Sequence, residues 1–373
     1  MNNRKDSKEI RIQNKIIIAK YVFEKGRVSR QEISTALGYS MPTVFQNITD
    51  LINYGLLCES GEFGSRGGRK AKVLTINKGF RFSVGVDITR NHIRLILMDV
   101  CGDLLAHDYI ECVFEDSHEY YWKLSHIVNE FIENSCQEIN KIIGVGISIP
   151  GIIDQEQMLL LKSHALKVQN VSLENFKIGI QYKVHFDNDA NNAAYAEIVN
   201  RNRNTVYLSL NDTVGGAIYY NGEIYQGDNY KSAEFGHMII EPNGKLCYCG
   251  KRGCIDAYCA AIVLSENKKN GLETYFSNLE SNPIENGKKW SEYLEYLAIA
   301  VTNLRMAYDC DIIVGGNVGG YLEHYQKELG LVLSKYNNMD TDTTYLHLGK
   351  YKWQSSAMGA AMRMIEQFIL DLD

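Results

Sequence analysis

Between Ala233 and Ala257 the chain reads A-E-F-G-H-M-I-I-E-P-N-G-K-L-C-Y-C-G-K-R-G-C-I-D-A, which gathers His237, Cys247, Cys249 and Cys254 into one short loop. Three cysteines and a histidine make a closed ligand set for a structural zinc. Four protein ligands leave no open position, so a structural ion is favoured over a hydrolytic one. Gly250 and Gly253 let the backbone fold back so that three thiolates converge. The chain holds nine cysteines, an odd number, with three of them in C-x-C-x4-C. Without an export signal that pattern favours a metal over disulfides or free thiols. Glu234 and Asp256 stand in the same stretch, where a metal would hold polar groups in place as the wall of a pocket.

A length of 373 residues implies two or three domains with sizeable cores. No apolar run is long enough to span a bilayer, and the N-terminal M-N-N-R-K-D-S-K-E lacks the apolar core of a signal peptide. The expectation is a soluble cytoplasmic protein. The net charge of −6 hides an asymmetry: residues 1–80 hold 14 of the 39 basic and 7 of the 45 acidic side chains, leaving +7 on the front and −13 on the rest. A basic front on an acidic body is the pattern of a chain whose front alone approaches a polyanion.

That front reads as helices. Ile12, Ile16, Ile17 and Ala19 predict a first helix ending near Gly26. Ser29 precedes R-Q-E-I, so Ser29 and Glu32 predict a capping box for a second helix, Ser29 to Leu37. Gly38-Tyr39 supplies a turn. Ser40 caps a third helix with Pro42 in its first turn, and Val44, Ile48, Leu51 and Ile52 form its apolar stripe. This is a helix-turn-helix pattern. The third helix offers Ser40, Thr43, Gln46 and Asn47 as groups able to face a major groove. Two short strands then flank G-E-F-G-S-R-G-G-R-K, a wing whose Arg66, Arg69 and Lys70 would meet phosphate or a minor groove.

Residues 82–88, 92–98 and 104–112 read as three meandering strands, 120–139 as an amphipathic helix and 142–149 as a buried strand. That order opens a ribonuclease-H-like α/β unit. V-H-F-D-N-D-A-N-N-A follows, a strand ending in a polar cluster at a helix start. Asn188 and Asp189 would project into the crevice at the strand's C-terminal end, where an amide and a carboxylate suit the hydroxyls of a polyol. Asp189 reads equally well as a helix N-cap. Strands at 205–210, 215–220 and 223–225 loosely repeat the meander, which fits two lobes around a cleft. Helices from about 260 to 308, a strand at 311–314 and a last amphipathic helix, 355–369, complete the chain.

Together these motifs resemble the ROK family of repressors, open reading frames and sugar kinases over nearly the whole length. E-x-G-H…C-x-C-G-x-x-G-C and N-D-A-N are intact, and the front end with G-x-S-R-G-G-R-K resembles the winged helix of the repressor branch. The resemblance implies an actin-like, two-lobed α/β fold behind a winged-helix DNA-binding domain. Its divisions would be residues 1–78 for the DNA-binding domain and 79–373 for the ROK part. Lobe one would take about 79–200 plus 355–373, and lobe two about 201–354. It implies a structural zinc on His237, Cys247, Cys249 and Cys254, sugar contacts from Asn188, Asp189, Glu234, His237 and Asp256, and a homodimer or tetramer. In the kinases the position of Asp189 is the general base. Two departures count against phosphoryl transfer. The kinases' D-x-G-G-T-K is here Asp87-Ile88-Thr89-Arg90-Asn91, and their G-T-G-V-G-G-G is here Asn211-Asp212-Thr213-Val214-Gly215-Gly216-Ala217. Asp256 stands where the family has Glu. The expectation is a non-enzymatic, sugar-responsive regulator that binds double-stranded operator DNA, most simply a repressor. The alternative is an ATP-dependent sugar kinase with an added DNA-binding domain.

Overall fold

The computed structural model describes residues 7–63, 71–198, 203–266, 268 and 270–372. Three helices come first, α1 (Ser7–Lys25), α2 (Arg30–Leu37) and α3 (Met41–Tyr54), followed by the antiparallel strands β1 (Leu57–Glu62) and β2 (Lys72–Ile76). The capping box is present. The Glu32 N–H donates to the Ser29 hydroxyl at 3.2 Å, and the Ser29 N–H donates to the Glu32 carboxylate at 2.6 Å. Gly38 ends α2 at φ 68°, a left-handed conformation that would strain an L side chain by ~1 kcal/mol. Val44, Ile48 and Leu51 of α3 are fully buried with Ile18, Val22 and Ile33, each contributing ~1.5–3 kcal/mol through burial.

The first sheet has the order β10-β6-β3-β4-β5. Strands β3 (Phe82–Ile88), β4 (His92–Asp99) and β5 (Leu104–Glu111) form the antiparallel meander, and α4 (His118–Ser135) leads to β6 (Ile142–Ile149), parallel to β3. The helix stops at Ser135, short of the expected Ile139, because Cys136 already has extended backbone. A three-stranded flap follows, β7 (Ile152–Asp154), β8 (Leu159–Ser163) and β9 (Val168–Ser172), and then β10 (Val184–Asn188) and α5 (Asp189–Ile198). The flap was not foreseen: its strands are short, the residues just before β8 and β9 are Met158 and Lys167 at positive φ without a glycine signal, and Asn170 inside β9 is at positive φ too.

The second sheet repeats the first. Strands β11 (Thr205–Leu210), β12 (Val214–Tyr220) and β13 (Glu223–Ile224) meander. After the cysteine loop come short helices α6 (Asp256–Cys259) and α7 (Ala261–Ser265), then α8 (Gly271–Ser281) and the long α9 (Pro283–Tyr308). Strand β14 (Asp311–Gly315) is parallel to β11; α10 (Gly316–Gly319), α11 (Gln326–Leu333) and β15 (Leu346–Leu348) follow, giving the order β13-β12-β11-β14-β15. Each lobe thus has three antiparallel strands and two parallel ones added on the first strand's free edge, around its own apolar core.

The last helix, α12 (Ser355–Leu370), lies on the first sheet where that sheet is bare. A Cβ on Gly85 would come within 1.9 Å of the Ala357 carbonyl oxygen, and one on Gly146 within 2.1 Å of that of Ala360. On its other side Gly359 touches α5, where a Cβ would stand 1.7 Å from the Asn192 carbonyl oxygen. The same helix meets the N-terminal unit. Ile18, Val22 and Leu74 share one apolar cluster with Met98, Met358 and Ile365. Lys20 pairs with Glu366 at 3.7 Å, and the Phe80 ring lies 5.3 Å from that of Tyr54 and 6.2 Å from that of Phe368.

Candidate ligand cleft and metal centre

A cavity of about 480 Å³ opens between the lobes. The first lobe lines it with the β6–β7 turn, the flap and the start of α5; the second with the start of β12, the segment before His237, and Tyr248. Asn188, Asp189, Glu234 and His237, expected to meet in one site, all line it. Asn188 is spent on the backbone. Its Oδ1 accepts the N–H groups of Ala190 (2.8 Å) and Asn191 (3.1 Å), and its Nδ2 donates to the Gly151 carbonyl at 2.8 Å. Asn188 is therefore the cap of α5 and also pins the flap, which leaves Asp189 free of the capping role. Burial, then the nearby Asp87 carboxyl, pushes Asp189 up to about 7. Burial also raises Glu234. A carboxyl near half-protonation can donate to or accept from a hydroxyl.

Asp256 is not part of the lining. It is 2% exposed, and its Oδ2 accepts the Val214 N–H at 2.7 Å. One methylene shorter than Glu, it ends behind the cavity wall and fixes the first residue of β12 instead of reaching into the cleft.

The cysteine loop brings its donors together. One ligand atom each of His237, Cys247, Cys249 and Cys254 lies within 4.8 Å of the others. Cys249 Sγ and Cys254 Sγ are 3.8 Å apart, and His237 Nδ1 is 3.9 Å from Cys247 Sγ. Tetrahedral bonds of ~2.3 Å put thiolates ~3.8 Å apart, so the spacing suits a metal ion of that size. The loop folds this tightly because Gly253, at φ 80°, has no Cβ; one would lie 1.8 Å from the Glu241 carbonyl oxygen. His237 Nε2 faces away from the thiols, 3.4 Å from the Tyr248 hydroxyl, and both side chains line the cavity. The donor cluster and the cleft thus share one imidazole.

The region matching the kinases' first phosphate motif is occupied by protein. Arg94 Nη1 donates to Asp87 Oδ2 at 3.2 Å and to the Trp353 carbonyl at 3.3 Å. The guanidinium lies 5.7 Å from the Tyr109 ring and 6.0 Å from that of Trp353. In the second motif, Asn211 is tied down: its Nδ2 donates to Ser209 Oγ at 3.1 Å and its Oδ1 accepts the Asn317 N–H at 2.9 Å.

Of the residues expected to face DNA, Ser40 and Gln46 are exposed and Thr43 is partly so. Ser40 caps α3 and shares a 2.8 Å hydrogen bond with the Thr43 hydroxyl. Gln46 reaches Asp50 at 3.1 Å. Asn47 does not face outward. It is 3% exposed, and its Nδ2 donates to the Thr43 carbonyl at 2.8 Å. Three residues after Val44 and four before Leu51, it falls on the buried stripe. Phe45, 57% exposed, takes the outer face instead. Arg66, Arg69 and Lys70 lie outside the described residues. Three cavity residues escaped the sequence pattern, Lys162 and His164 on the flap and Lys231 in the loop after β13. Only the flap's strand alternation could have suggested the first two.

Two sheets of one topology around a ligand-sized cleft define an actin-like, two-lobed α/β protein. The chain belongs to the ROK family, which it matches over residues 83–367. The xylose repressor of Bacillus subtilis is 27% identical over 360 residues, 93% of this chain and 91% of that one. Among solved structures, a ROK family transcriptional regulator homologous to the Escherichia coli MLC protein superposes with a TM-score of 0.75 at 19% identity, covering 97% of both chains. A ROK glucokinase from Streptomyces griseus, solved with glucose and AMPPNP, gives 0.62 at 20% identity and covers 98% of itself but 75% of this chain. Among the described residues, no helix is long and apolar enough to cross a membrane.

Proposed function

We propose that the protein is a sugar-responsive, DNA-binding transcriptional regulator, most simply a repressor released by its sugar. The observation that carries this is α12. It lies against the sheet whose strand ends form the cleft, and its apolar face is shared with the N-terminal helices. The order of three helices and a two-stranded hairpin fits a winged helix-turn-helix, with α3 as the helix that enters the major groove. Thr43, Gln46 and Phe45 are its outward groups, and Arg66, Arg69 and Lys70 would supply phosphate or minor-groove contacts at the wing. A homodimer, or a tetramer built from two, would set two such units on a near-palindromic operator. The work would take place in the cytoplasm, where the DNA is.

The metal we assign to the loop is zinc, held by His237, Cys247, Cys249 and Cys254. It supplies no chemistry beyond rigidity, because four protein ligands close the site. Asp189, Glu234 and the free edge of His237 would hold sugar hydroxyls, with Asn188 and Asp256 shaping the site through the backbone. Relatives bearing the name xylose repressor support a pentose effector. The test is a mobility shift with a promoter fragment from the gene's own neighbourhood and a sugar panel. Release of DNA by one sugar is the expected result; a complex that no sugar alters sinks the inducer role.

Asp189 favours a second reading, since a carboxyl near pKa 7 in a sugar cleft is what a kinase base needs. Against it stand the Asp87–Arg94 pair in place of a phosphate loop and the Asp212 carboxylate in the second motif. ATP turnover with any hexose above background would promote the kinase.

A further inference from the structure

The cleft has a polar floor and a cationic rim. Asp187 and Asp189 stand deep, at the end of β10 and the start of α5. Lys162, His164 and Lys231 line the same cavity and are exposed. Among the described residues neither lysine has an ion-pair partner, whereas many other lysines of the chain have one. The two lysines sit on different lobes: Lys162 on β8 of the flap, Lys231 in the loop after β13. Both segments border the one cavity: Tyr230, next to Lys231, lines it together with Ile153 of β7, and the flap's His164 ring lies 5.8 Å from that of His237 and 5.4 Å from that of Tyr248.

Hydroxyls need mixed donors and acceptors, which the floor supplies; they do not need two unpaired ammonium groups at the rim. From this cleft, and resting on the sugar-responsive reading above, we infer that the effector is a sugar bearing an anionic group, phosphoryl or carboxylate, held between Lys162 and Lys231. With the cleft empty, the two charges on opposite lobes repel or are solvated. An anion between them is attracted to both, so its binding draws the flap and the loop of the other lobe together. Of the floor carboxyls Asp189, pushed up to about 7, carries only part of its charge at neutral pH.

Titration calorimetry on the full, zinc-loaded chain tests the inference. The probes are glucose 6-phosphate and glucuronate beside glucose, and ribose 5-phosphate beside ribose and xylose. At least one anionic sugar is expected to bind about tenfold or more tightly than its neutral parent, with an affinity that falls as salt rises. Lys162→Met and Lys231→Met keep the stem and remove the charge at exposed positions; each is expected to cut the advantage and leave the neutral parent's affinity intact. The phosphate and carboxylate arms identify the anion. Neutral sugars that bind as well as their anionic forms, or an advantage that survives in the double variant, overturn the inference and leave the regulator standing. If no sugar of either kind binds, both fall.

Discussion

Asp189 carries a proton that an ordinary carboxyl would have lost. Below about pH 4 the folded and unfolded chains both hold it. Between about 4 and the folded value of about 7 only the folded chain does, so stability falls as pH rises through that window and levels off above it. Asp189→Asn removes the titration. We expect the variant to be more stable than the parent at pH 8 by up to about 4 kcal/mol, and equal to it near pH 4, in thermal or urea unfolding. A parallel pH dependence in both proteins would contradict this. Cys249→Ser removes one of four converging donors, so bound zinc and sugar affinity should fall together, read by metal analysis and calorimetry. Sugar affinity that survives zinc loss would separate the two sites. Asp256 shows where side-chain length decides: the missing methylene leaves it on a backbone N–H, a role that no motif comparison distinguishes from a sugar contact.

Helix α3 separates what the sequence could show from what it could not. Its caps, its proline and its apolar stripe were all legible, because each has a local cause. The side on which Asn47 falls was not, since a single position at the stripe's margin turns on how α1 packs. Gln46→Ala or Phe45→Ala should weaken operator binding at particular bases by ~1–3 kcal/mol each, with unfolding unchanged. Asn47→Ala should leave base preference alone, and footprinting across operator variants distinguishes the two behaviours. The convergence of His237 with Cys247, Cys249 and Cys254 was legible residue by residue, since thiolate chemistry and glycine turns are written locally. The flap β7–β9 was not: its strands are held by pairing with one another and by the Asn188 amide, contacts distant in sequence. Lys162 and His164, the flap's contributions to the cleft, went unseen with it. Helix α12 was foreseen as a last amphipathic helix, but its fit depends on glycines of other elements. Gly359→Ala forces α5 and α12 apart and should destabilise by ~1–3 kcal/mol or more in chemical denaturation.

For the molecule as a whole, coupling between cleft and operator must be reciprocal. If a sugar lowers DNA affinity by some factor, DNA lowers sugar affinity by the same factor, which paired titrations check. Phe368→Ala loosens the contact between α12 and Phe80, and it should shrink that factor more than it changes either affinity alone. An undiminished factor would move the coupling elsewhere. The apolar cluster that α1, β2 and α12 share has a further consequence, for inheritance and for engineering. Most DNA-binding heads can be cut off and grafted because their cores close on themselves. Here the head's core runs on into the body, so a cut near residue 78 would leave two raw apolar faces, one on each fragment. This head is not a transplantable cassette: any chain that borrows it must also inherit the underside of α12.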